Sequence, residues 1–180
     1  MPNSPYKYST ENDFIIKNKT TVIYALAAIT LFILVGFLDF YILPNSKTTD
    51  VIIHYAVRTV GGKNGTEPQK VSYHYYTKKG FTFSTVKNYI EENDIEIEYS
   101  LLFKSVTKVK SKNNDYTKDL SSSLSINGIQ FYFCWTLLLS IAISLKILLS
   151  KKAFSENAFY NIICFNSFMV FICLYMTYLF

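Results

Sequence analysis

The chain has 180 residues, half of them hydrophobic and 17% aromatic, with a formal net charge of +5 at neutral pH. Fifteen Tyr and fifteen Phe against six Gly and four Pro exclude collagen-like and disordered classes. The positive charge is not a nucleic-acid footprint, because residues 44–128 carry 12 Lys/Arg and 9 Asp/Glu and offer no basic stripe to track phosphates.

Residues 1–20 form a polar amino-terminal tail bearing Lys7, Lys17 and Lys19, and residues 21–43 (TVIYALAAITLFILVGFLDFYIL) are an unbroken apolar run. At about 1.5 Å rise per residue such a run crosses a bilayer. It exceeds the apolar core of a cleaved signal peptide, so it reads as a retained signal anchor, stopped by Pro44, which lacks an N–H. Asp39 is the only acid within a span, and an intramembrane acid is a functional hypothesis by default. It lies about one helical turn before Pro44, which places it near the outer headgroups, where a wet carboxylate is expected. A transport or partner role is the competing reading.

Residues 44–128 read as a small antiparallel β domain of four to five strands followed by a tether. Runs 51–60 (VIIHYAVRTV) and 71–77 (VSYHYYT) flank the turn-rich GGKNGTEPQ. Folding them about Asn64 sets Val57 opposite Val71, Tyr55 opposite Tyr73 and Ile53 opposite Tyr75. The Lys78-Lys79-Gly80 turn then pairs Tyr75 with Phe83 and Thr77 with Phe81 on the same inner face. In this register His54 faces His74, the one low-order metal candidate, although zinc or copper needs three or four ligands. Asn64-Gly65-Thr66 matches a glycosylation sequon that matters only in a eukaryotic secretory pathway. Residues 85–94 read as a strand end or one helical turn. IEIEY (95–99) and FKSVTKVKSK (103–112) put Glu96 and Glu98 against Lys108, Lys110 and Lys112, a cross-strand charge ladder or a docking surface for a charged partner. Polar residues 113–128 read as a tether back to the membrane.

Runs 129–150 and 157–180 are two more apolar spans, joined by a loop at 151–156 whose Lys151 and Lys152 mark it as cytoplasmic. Ser155 is the expected N-cap of the third helix and Glu156 complements its N-terminal partial charge. The resulting topology has the amino terminus inside, 44–128 outside, and the carboxyl terminus outside, with Tyr175 and Tyr178 suited to the interfacial belt. Asn161, Asn166 and Ser167 in the third span are expected to hydrogen-bond a neighbouring helix, or to engage a partner within the bilayer. Cys134, Cys164 and Cys173 all lie inside apolar runs as small apolar filler, with Cys134 and Cys173 at similar depth.

No nucleophile elbow, phosphate loop or dinucleotide fingerprint occurs, no cofactor is called for, and catalytic and cofactor-binding residues are none by this reading. The order span, small extracytoplasmic β domain, span, with YHYYTKKGFTF, YIEENDIEIEYSLLF and a late Tyr-Ser, resembles bacterial membrane proteins known as domains of unknown function. That resemblance covers roughly residues 20–150 and implies location and fold, without assigned site residues. The Lys, Asn, Ile, Tyr and Phe usage looks like a low-GC bacterial genome.

The fold expected is therefore a membrane protein of α+β class: three transmembrane helices with an antiparallel β domain inserted between the first two. The function expected is non-enzymatic, in the bacterial inner membrane, with the lipid bilayer and another membrane or periplasmic protein as partners and no nucleic acid. The alternatives are an accessory or immunity-type subunit acting through its helices, with Asp39, Asn161 and Asn166 as contacts, and a metal or enzymatic domain built on His54 and His74.

Overall fold

A computed structural model describes residues 7–60, 69–86, 88–150 and 155–179, and side chains within 14–59, 72–86, 88–150 and 155–177. The chain is α+β, as its apolar runs and alternating segments imply. Helix α1 is Lys7–Tyr41, strands β1 to β5 are Ser46–Val60, Gln69–Thr77, Thr82–Thr85, Asp94–Tyr99 and Val106–Ser111, and helices α2 and α3 are Ile129–Leu149 and Glu156–Leu179. Within the helices, Phe14–Tyr41, Ile129–Leu149 and Glu156–Thr177 are long and apolar enough to cross a membrane. The chain divides into two compact units.

The first unit is helical, built from residues 1–34 and 133–175. Its core is apolar and comes from all three helices: Leu26 of α1, Leu137, Ile141 and Leu148 of α2, Phe159, Ile162 and Met169 of α3. Helix α1 begins at Lys7, so much of the expected polar tail is helical, with Ile15 already in the core. Ser155 caps α3 as expected, its Oγ accepting the Ala158 N–H at 3.2 Å. Residues 151–154, which carry the Lys151 and Lys152 of the topology argument, lie outside the described residues.

The second unit spans 35–132 with 176–180 and is organised by β1, 15 residues long at the centre of a sheet ordered β3-β2-β1-β4-β5, all antiparallel. The amino-terminal part of β1 pairs with β4, from Ser46 opposite Tyr99 to Val51 opposite Asp94. Its carboxyl-terminal part pairs with β2, from Ile52 opposite Thr77 to Val60 opposite Gln69. A strand that changes partner midway folds the two halves of the sheet over one core. Tyr75 and Phe83 from one half meet Ile95, Ile97, Val106 and Val109 from the other. Phe81 and Tyr99 tie the halves together with ring centroids 4.8 Å apart.

The segment read as a tether closes this curled sheet. Tyr116 N–H donates to the Val109 carbonyl at 2.9 Å along the edge of β5, and Ser121 N–H to the Ser84 carbonyl at 2.9 Å along the edge of β3. Between them a 3-10 turn at Thr117–Asp119 lets Tyr116 and Leu120 enter the core. One chain segment thus covers the unpaired edges that would otherwise template association, and with Ile90 it supplies the second layer that a lone sheet needs.

The sheet register differs from the expected one. Tyr55 faces Tyr75, Val57 faces Tyr73, and His54 faces Tyr76 while His74 faces Ala56. The strands have slipped by two residues, with a bulge between Ile52 and His54 that accommodates Ile53. The β2–β3 hairpin keeps its expected register: Tyr75 faces Phe83, and Thr77 and Phe81 exchange hydrogen bonds across the turn, where Gly80 takes φ 86°. Of residues 85–94, Thr85 is the end of β3 and Asp94 the start of β4, and the described residues between them, 86 and 88–93, form neither helix nor strand, with Ile90 buried. Asn64-Gly65-Thr66 lies outside the described residues.

Candidate interaction surface

Strands β1 and β2 run beyond the last rung of the core, and their inward-facing residues become exposed there. Tyr75 is buried, but its neighbours Tyr55 and Val57 are open at 43% and 38%, and Tyr73 is half-buried. Tyr89 of the irregular segment joins them, its ring centroid 5.0 Å from Tyr55 and 5.5 Å from Tyr73. Tyr89 therefore joins Tyr55 and Tyr73 into one cluster, open to solvent at Tyr55 and Tyr89, on a sheet whose floor is Tyr75. Large rigid aromatic side chains that keep a polar tip are the residue type that anchors protein interfaces, because they bury much area at little rotamer cost. Burial first, and then a hydrogen bond with the Tyr55 hydroxyl, hold the Tyr89 phenol above its ordinary pKa.

The opposite face carries the histidines. His54 stacks on Tyr76 at 5.7 Å between ring centroids. His74 lies between two serines, Nδ1 2.6 Å from Ser84 Oγ and Nε2 3.3 Å from Ser72 Oγ. Burial, and then the nearby Arg58 cation, lower the His74 pKa. Both serine hydroxyls belong to buried residues, so neither is presented to a substrate. The register slip removes the expected His54–His74 pairing, and among the described residues no set of three His, Cys, Asp or Glu could hold a metal.

The charge ladder forms. Glu98 is opposite Lys108 and Glu96 opposite Lys110, and the Glu98 carboxylate is shared by Lys47 at 2.8 Å and Lys108 at 2.9 Å. Those two lysines hold the Glu98 carboxyl below its ordinary pKa. Beside the ladder, Lys78, Lys79, Asp94, Lys110 and Lys112 line an open groove of about 680 Å³, with the buried Asp50 carboxylate accepting the N–H groups of Val51 and Lys79. Its four lysines are interspersed with the acids Asp50, Asp94 and Glu96, a mixed lining that suits solvation better than one acidic or basic ligand.

The predicted contacts in the helices fall in different settings. Asp39 is not wet. It is 1% exposed and accepts the backbone N–H groups of Leu102 at 2.9 Å and Phe103 at 3.0 Å. Asn166 is buried, donating to Ser144 Oγ at 2.8 Å and to its own turn at Ile162, and accepting from Ser140 Oγ at 3.0 Å. Asn161 is exposed beside a groove between α2 and α3, and Ser167 is exposed as well. Cys134 and Cys173, both free thiols, are hydrogen-bonded to each other. Sequence reasoning missed Tyr89 as a surface residue. The signal was a bulky aromatic, one residue before the buried Ile90, in a segment otherwise rich in Glu and Asn.

No family model, no curated protein and no solved structure matches this chain.

Proposed function

We propose that the chain is a non-enzymatic subunit of a membrane complex in the bacterial inner membrane, presenting its β domain on the extracytoplasmic side to a partner protein. The observation that carries this reading is the Tyr55–Tyr73–Tyr89 cluster, in which Tyr73 packs against the core while Tyr55 and Tyr89 stay exposed. The core includes neither Tyr55 nor Tyr89, and their exposure is accounted for by a partner outside the chain. The orientation follows from the lysines flanking the spans and the positive-inside rule.

Crosslinking in cells and recovery of the tagged full chain from mild detergent tests it. The parent chain should bring a defined membrane or periplasmic partner, Tyr55→Ser with Tyr89→Ser should lose it, and Lys110→Ala should retain it. Recovery of the parent as a lone monomer rejects the proposal.

One observation favours a second reading, a partner engaged within the bilayer. Asn161 exposes a carboxamide on an apolar helix, at the rim of the α2–α3 groove, and such groups gain about 0.6–2 kcal/mol from an interhelical hydrogen bond. Under that reading Asn161→Leu releases the partner and the tyrosine changes do not.

A further inference from the structure

The turn between β4 and β5 is built the wrong way round for water. Hairpin turns carry Gly, Asn, Asp or Pro, yet this one presents Leu101, Leu102 and Phe103 in succession, each about half exposed. Its backbone is firmly set: Ser100 N–H donates to the Ser105 carbonyl at 2.9 Å, Ser105 N–H returns to Ser100 Oγ at 3.1 Å, and Lys104 takes φ 52°. The three apolar side chains are therefore held outward by a structured loop.

The group that holds the turn is Asp39, whose two carboxylate oxygens take the N–H groups of Leu102 and Phe103. Asp39 lies two residues inside the end of the apolar span Phe14–Tyr41, about 3 Å along the helix axis from its last residue. The turn is thereby fixed at the depth where the span ends. Exposed Leu38, Tyr41, Ile42 and Leu43 occupy the same stretch of α1 and the segment after it. A second connection is tied there too, the Tyr41 hydroxyl donating to the Leu124 carbonyl at 2.6 Å.

We propose that the Leu101-Leu102-Phe103 turn inserts into the headgroup and acyl-chain boundary beside the end of α1, as a second membrane contact of the β domain, with Asp39 as its positioning residue. The chemistry agrees on both sides. Backbone N–H groups entering a lipid boundary must be satisfied within the protein, and a carboxylate near the end of a span needs donors in place of water. Each of these two liabilities satisfies the other. Lys104, exposed at the next position, suits the phosphate of a headgroup. Apolar side chains of interfacial elements reach roughly 5–10 Å into this boundary, a depth matched to three residues on a fixed turn. The inference rests on the span assignment and is independent of the partner proposed for the tyrosine cluster.

The test uses the full chain reconstituted in phosphatidylcholine–phosphatidylglycerol vesicles, with Trp135→Phe removing the native tryptophan. Single tryptophans are introduced as Leu102→Trp, Leu101→Trp, Lys110→Trp and Leu31→Trp. Emission from Leu102→Trp and Leu101→Trp should be blue-shifted and quenched by lipid brominated near the headgroup end of the chain, whereas Lys110→Trp should be quenched only by aqueous iodide. Adding Asp39→Ala should shift the Leu102→Trp emission to the red and relieve its lipid quenching; unchanged quenching overturns the role of Asp39. If Leu31→Trp is quenched by bromolipid and both turn positions are quenched by iodide alone, the turn is in water and the inference fails while the span stands. Turn positions shielded from both quenchers would mean a protein covers them, which also overturns it. Loss of bromolipid quenching at Leu31→Trp would remove the span assignment itself.

Discussion

The hydroxyl of Tyr75 accepts the backbone N–H of Ile90 at 2.8 Å inside the core of the β domain. With the Ile52 N–H donating to the Asn93 carbonyl at 2.9 Å, this contact ties the irregular segment carrying Tyr89 to the central sheet beneath the tyrosine cluster. Tyr75→Phe keeps the ring and removes the acceptor, leaving a buried N–H unsatisfied. The expected cost is about 1–3 kcal/mol. Thermal unfolding should show it, with hydrogen exchange accelerated at Ile90 by at least as much as at Val109 in the core.

Glu98 gives an acid-side stability dependence. Lys47 and Lys108 hold its folded-state pKa below the ordinary 4.5, so the unfolded chain binds the proton first as pH falls. The stabilisation is fully present above about pH 4.5 and is lost as pH drops through the folded value. With cross-strand ion pairs contributing about 0.2–1 kcal/mol each, Glu98→Gln should lower the melting temperature at neutral pH and flatten its decline below that pH. A variant whose melting curve parallels the parent at every pH would contradict this.

His74 titrates in a separate window. Burial and Arg58 keep its folded-state pKa below the ordinary 6.5, so the unfolded state takes up a proton first and stability falls as pH drops below about 6.5. His74→Gln should abolish the loss between neutral pH and the Glu98 window while leaving the lower one intact. Melting temperatures collected in half-unit steps of pH separate the two.

Asn161 and Asn166 of α3 should behave differently. Asn166→Leu strips partners from Ser140 and Ser144 inside the helical unit and should destabilise it by about 0.6–2 kcal/mol, read as a lower unfolding midpoint in mixed detergent micelles. Asn161→Leu, on an exposed position, should leave the midpoint unchanged. Equal effects would mean that Asn161 is packed.

The tyrosine alternation identified which residues of β1 and β2 share a face, and it did so correctly for Tyr55, Tyr73 and Tyr75. It did not identify which residues face each other, because a pattern of period two is unchanged by a slip of two. Two irregularities in the β1–β2 ladder, at Ile53 and between Arg58 and Thr59, and the partner change within β1 accompany the observed register, and none leaves a mark on hydrophobic periodicity. The His54–His74 pairing failed for this reason alone. The β2–β3 pairing was legible because its turn is short enough to dictate register, whereas for β4 and β5 the sequence marked only the opposite charges of the facing residues.

Local chemistry by itself determined the three apolar helices, the inserted antiparallel domain, the Ser155 cap and the Glu–Lys ladder, since each follows from residues adjacent in sequence or across a tight turn. Tertiary structure alone decided where Asp39 goes, how residues 113–121 close the sheet, and that Tyr89 joins Tyr55 and Tyr73. Asp39 meets Leu102 and Phe103 across more than 60 residues of chain, and Tyr116 and Leu120 are isolated large apolar residues in a polar stretch, too sparse to register as a pattern. Contacts of that kind depend on the fold bringing distant segments together, and no spacing along the chain records them.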